Sequence, residues 1–152
     1  MKYAFYRGKG TIFDKIIRIW MRGPYAHVEA ILQDYGDGTY QIASSVPGIG
    51  VRITRSTLPA ADWDIIDGPG DVNQIAAWFN KHDGDAYDYI GLFTFVLRPV
   101  LIEERRKYWC SEAILIAAGF KGAWREDPNS MYNAIRFAQA SVTGVPLTSL
   151  GA

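Results

Sequence analysis

The hydrophobic pattern predicts a strand-rich first part followed by a helical second part. Lys2 to Tyr6 forms a short apolar strand, and Gly8-Lys9-Gly10 turns the chain out of it. Phe13, Ile16, Ile17, Trp20 and Met21 then recur at the i, i+3, i+4, i+7, i+8 spacing of an amphipathic helix, expected to cover a sheet and ended by Gly23-Pro24. Tyr25 to Leu32 and Thr39 to Ser45 flank the turn signal Asp34-Tyr35-Gly36-Asp37-Gly38 and should pair as an antiparallel hairpin. Val51 to Thr54 and Trp63 to Asp67 are the next strands. Asp71 can cap a helix through about Asn80 that turns Val72, Ile75, Ala76 and Phe79 inward. Further helices are expected near Tyr87–Leu97, Cys110–Ala118 and Pro128–Ala140. Gly119 stops the second of these, and Asp127-Pro128 opens the third.

This order of elements predicts an α+β domain, a small antiparallel sheet packed against helices. A chain of 152 residues suits one domain, placed at 1–140, with 141–152 as a tail rich in small residues. Lysine plus arginine (16) balances aspartate plus glutamate (16), so no overall field draws nucleic acid or an acidic membrane. Lys15, Arg18 and Arg22 break the N-terminal region where an export signal needs an apolar run, and no signal peptide is expected. The longest apolar stretch, Ile90 to Ile102, contains Arg98 and Pro99 and falls short of the ~20 residues that span a bilayer. These features predict a cytoplasmic protein without a transmembrane segment.

Cys110 is the chain's single cysteine, so no intrachain disulfide can form, and no cysteine–histidine cluster has the spacing of a structural zinc site. It stands in Tyr108-Trp109-Cys110-Ser111-Glu112, where the predicted Cys110–Ala118 helix begins. Helix N-termini leave N–H groups without intrahelical acceptors and carry partial positive charge, which stabilises a thiolate and offers donors to an oxyanion. A small buried residue at the start of a core helix would look the same in sequence. A nucleophilic thiol also needs a base. His27, in Tyr25-Ala26-His27-Val28-Glu29, is the candidate, and the strand period of two places it on one face with Glu29.

The Tyr25-Ala26-His27-Val28-Glu29 strand, Tyr87-Asp88-Tyr89 and Tyr108-Trp109-Cys110-Ser111-Glu112 resemble, in that order, elements of the circularly permuted NlpC-type papain-like hydrolases, including YiiX-like proteins. Histidine before cysteine is the permuted order. Tyr6-Arg7-Gly8-Lys9-Gly10 and Asp127-Pro128-Asn129-Ser130-Met131-Tyr132 resemble a compact subgroup found in bacteriophage and prophage genomes, so the likeness covers roughly 1–140 and implies a protein of the host cytoplasm or of the virion. The resemblance implies a permuted papain-like fold. It implies a cysteine peptidase or amidase without a cofactor, with Cys110 as nucleophile, His27 as base and the Cys110 N–H, helped by Tyr108, as oxyanion donor. Its substrate would be an amide such as a peptidoglycan peptide bond, although neighbouring families handle lipid and other acyl esters. A degenerate member would instead bind a peptide, glycan or virion partner, or serve as a structural phage protein.

The chain departs from the family at the third catalytic residue, often a glutamate on the strand after the histidine. That strand reads Tyr40-Gln41-Ile42-Ala43-Ser44-Ser45 and carries no carboxylate. Counting back from Gly50-Val51 favours Ser44 or Ser45, parity groups Gln41 with Ser45, and Glu29 is the nearest carboxylate in sequence. All four stay open. Asp88 and Glu112 have sufficient structural readings as a helix cap and a first-turn acid, and His82 reads as a solvated helix end. Neither aspartate-rich turn, Asp34 with Asp37 or Asp83 with Asp85, has the spacing of a calcium-binding loop.

Overall fold

The aspartates of the 34–38 turn bend the chain back on itself in the computed structural model, which describes residues 1–8, 10, 12–88, 107–123 and 126–143. Asp34 Oδ1 accepts from Gly36 N and Asp37 Oδ1 from Thr39 N, each at 2.9 Å. Gly36 and Gly38 adopt φ of 74° and 83°, which L side chains rarely tolerate. The hairpin so formed joins β2 (His27–Asp34) to β3 (Thr39–Val46), and β3 pairs onward with β4 (Gly50–Thr57). On the other side β2 pairs with β1 (Lys2–Tyr6), and β1 with β5 (Trp63–Asp67). The result is a five-stranded antiparallel sheet in the order β4-β3-β2-β1-β5.

Among the described residues four helices complete an α+β architecture: α1 (Ile12–Met21), α2 (Val72–Lys81), α3 (Cys110–Ala117) and α4 (Pro128–Thr143). α3 lies across β2 and β3, with α2 beside it over β4. Strand parity decides what each face buries. Tyr3, Phe5, Val28, Ala30, Ala43 and Val51 meet Ala113, Ile114 and Ala117 of α3, Ile75 and Phe79 of α2, and Met131 and Ile135 of α4. Each large apolar side chain taken fully out of water here contributes roughly 1.5–3 kcal/mol. Ala4, Ile31, Ile42 and Leu58 form a smaller cluster on the opposite face.

The predicted cap of α2 is present, Asp71 accepting from Gln74 N at 2.8 Å, and Ile75 and Phe79 are buried. Three expectations need correction. β2 starts at His27 and not at Tyr25, because the backbone of Tyr25 is held by a side chain of α4. Tyr87 lies in a two-residue strand, β6 (Ala86–Tyr87), parallel to β7 (Lys107–Tyr108), and not in a helix; 89–97, the rest of that expected helix, lies outside the described residues. Of the apolar face expected for α1, Ile17 and Met21 pack with Tyr6, Ala26, Tyr87 and Trp109, and the side chains of Phe13, Ile16 and Trp20 lie outside the described residues. α4 also runs on to Thr143, so helix occupies the first residues assigned to the tail. Among the described residues no helix is long and apolar enough to cross a membrane.

Candidate active site

Cys110 is the first residue of α3, preceded by Trp109 in extended conformation (φ −87°, ψ 176°). The helix starts here because Ala113 N reaches back to Trp109 O at 3.0 Å while Glu112 Oε2 accepts from Trp109 N at 3.3 Å. That geometry leaves the Cys110 amide before the first intrahelical bond, beside its own thiol. Upstream, Ser45 Oγ donates to Tyr108 O at 2.5 Å, tying the strand that delivers the cysteine to β3.

His27 comes to the same place from the sheet. It is the first residue of β2 and pairs with Tyr6, the last of β1, so it sits at the sheet's end, where α3 begins. A clamp sets it there. Asn129 Oδ1 accepts from Tyr25 N and Asn129 Nδ2 donates to Tyr25 O, both at 3.0 Å. Ala26 N then donates to Tyr6 O at 3.0 Å. A Cβ on Gly23 would lie 2.2 Å from Asn129 Oδ1, so the clamp requires glycine at that position. Asn129 is itself placed by Asp127, whose Oδ1 accepts from Asn129 N at 2.7 Å and Ser130 N at 3.1 Å.

Two groups act on the imidazole, Cys110 and Glu29. His27 Nε2 lies 2.9 Å from Glu29 Oε1, which leaves Nδ1 as the ring's other nitrogen. Burial alone would push the imidazole pKa down; the Cys110 thiolate, as charge and as hydrogen-bond partner, and then Glu29 outweigh it and lift the value to about 10. The ring keeps 17% of its surface exposed, whereas Glu29 is 2% and Cys110 5% exposed. Trp63, across β1 on β5, approaches the imidazole edge-on at 6.4 Å between centroids.

The four candidates for the third position separate cleanly. Glu29 alone among them touches the imidazole. Ser44 shares its side of the sheet, but its hydroxyl donates to Val28 O at 2.8 Å. Ser45 faces the other way and holds Tyr108 O. Gln41 pairs with Gln33 and Arg55, well up the hairpin from His27. Tyr108 has its ring beside Trp78 and His82 at the end of α2, with centroids at 5.1 and 5.6 Å. His82 is not a solvated helix end: its Nδ1 lies 2.8 Å from Asp85 Oδ2 and its ring stacks on Trp78 at 4.2 Å.

Sequence reasoning missed Arg52 and Asn129. Arg52 Nη2 donates to the same Glu29 Oε1 at 2.8 Å, from two strands away. Asn129 lay inside a motif noted only for resemblance; an Asp-Pro-Asn helix start with a polar residue on its buried side was the available signal. Among the described residues, no group of three or more His, Cys, Asp or Glu side chains is placed to hold a metal ion. A cavity of about 290 Å³ lined by Leu115, Ala118, Phe120, Met131 and Ile135 lies at the far end of α3, away from Cys110. Comparison of the chain with protein-family models and with characterised proteins gives no match.

Proposed function

We propose that the protein is a cysteine hydrolase of permuted papain-like fold that transfers an acyl group to water through a Cys110–His27 pair. The observation that carries this reading is the imidazole shared between a helix-start thiol and a buried carboxylate. That arrangement supports each step. The Cys110 thiolate attacks a carbonyl carbon, and the carbonyl oxygen takes the negative charge next to the Cys110 N–H. The carbon–nitrogen or carbon–oxygen bond breaks as His27 hands its proton to the departing amine or alcohol. Water then attacks the thioester and gives a proton to His27, the acid leaves, and the thiolate and imidazolium return. Glu29 keeps the ring oriented and favours its charged form throughout. An amide substrate, such as a cell-wall peptide, follows from the resemblance in the sequence and rests on it alone.

The rate of Cys110 alkylation by iodoacetamide between pH 4 and 10, in the parent and in His27→Ala, tests the pair. The expected outcome is a parent that still reacts below neutral pH and a variant that reacts only as an ordinary thiol titrates, near ~8.5. Two identical profiles near ~8.5 would remove the pair and the enzymatic reading with it. A second reading, a binding module on the same fold, is favoured by the 5% exposure of Cys110, which leaves little of the nucleophile open to a substrate. It predicts a coupled pair with no turnover of any acyl substrate.

A further inference from the structure

We infer that Arg52 is a positioning residue of this site, acting on His27 through Glu29 by holding that buried carboxylate aimed at the imidazole; the inference rests on the Cys110–His27 reading above. Arg52 belongs to β4 and Glu29 to β2, with β3 between them. The guanidinium therefore has to cross a strand. It crosses at Ser44, the register partner of Arg52, which is small, fully buried and has its hydroxyl turned down to Val28 O. A larger residue at 44 would fill that path.

The bonding at Glu29 is asymmetric. Arg52 Nη2 and His27 Nε2 both converge on Oε1, at 2.8 and 2.9 Å, so one oxygen carries both cations. Glu29 Oε2 and Arg52 Nη1 are buried and have no hydrogen-bond partner among the described residues. A carboxylate 2% exposed with its second oxygen unsatisfied is costly to bury, and the guanidinium bonded to it offsets part of that cost. Because Arg52 and His27 share Oε1, the guanidinium also holds that oxygen against the imidazole. Without it the carboxylate is free to turn away, and the imidazolium loses its partner.

The sign of the effect separates this role from a direct one. Among the described residues, the titratable and charged groups around the imidazole are Cys110 from α3, Glu29 from its own strand, Tyr6 opposite it on β1, and Arg52 beyond Glu29 from β4. A cation acting directly on His27 lowers the imidazole pKa, so its removal would raise that value. A cation acting through Glu29 does the reverse. NMR titration of His27 in Arg52→Met should therefore show a downward shift of at least about one unit, with thiol alkylation displaced toward alkaline pH in parallel. The same substitution in a Glu29→Gln background should leave His27 where Glu29→Gln alone puts it, and this double variant, with the buried charges gone, also guards against loss of folding. Arg52→Lys keeps a cation over the carboxylate and should show a smaller fall. An upward or absent shift in the Arg52 variants, or an equal fall in both backgrounds, overturns the inference. If the parent alkylation profile is that of an ordinary thiol, the Cys110–His27 reading itself has failed.

Discussion

His27 links the site to the stability of the fold. Its imidazole is raised from an ordinary value of 6.5 to about 10 in the folded chain, despite burial, by Cys110 and Glu29. A group whose folded pKa lies above its unfolded one binds more protons when folded. Its stabilisation is complete below about pH 6.5 and fades as pH rises through about 10. Urea unfolding of the parent and of His27→Gln at pH 6, 8 and 10 should show the stability gap between them narrowing with each step. A gap independent of pH would mean the imidazole gains nothing from its two neighbours. At this scale the sequence was informative up to a point. Alternation placed Glu29 beside His27, but parity alone does not say which face of a strand meets the nucleophile, so Ser44, Ser45 and Gln41 stood level with it. The contact from Arg52 depends on the order of three strands and on the size of Ser44, neither of which a linear pattern encodes.

Among the elements, those with local chemistry were legible and those set by distant contacts were not. Asp71 and the aspartates of the 34–38 turn satisfy backbone donors within three residues, and α2 and the hairpin formed where expected. The start of β2 was misplaced by two residues because what ends the strand is Asn129, more than a hundred positions away. Two-residue pairings such as β6 with β7 carry no periodicity at all. The Asn129 clamp carries its own prediction. Asn129→Ala leaves Tyr25 N and Tyr25 O buried without their partner, which should cost about 1–3 kcal/mol in urea unfolding. It should also disturb the His27 resonances more than those of His82, which sits at the end of α2. Equal disturbance of both histidines would indicate general loosening in place of a local clamp.

In the whole molecule, the site lies where two independently built parts end together: a sheet whose central strand begins at His27, and a buried helix that begins at Cys110. α3 is anchored by Ala113, Ile114 and Ala117 in the main core, its entry is fixed by Ser45 and Glu112, and Cys110, 5% exposed, belongs to the same core cluster. An alternative account makes Cys110 a core residue and its contact with His27 incidental. The two differ in what Cys110→Ser should do. Serine is nearly the same size, and if the position belongs to a polar site facing an imidazole, its hydroxyl finds a partner. Stability should then fall by no more than about 1–2 kcal/mol, while thiol alkylation and any acyl hydrolysis vanish. If the position is apolar core, the hydroxyl is buried unpaired and the loss should reach the upper end of the ~1–3 kcal/mol range for such groups, with no change in the His27 titration. Measuring both quantities on one sample decides it: a small loss with a lowered His27 pKa identifies a built site, and a large loss with an unmoved histidine identifies a core.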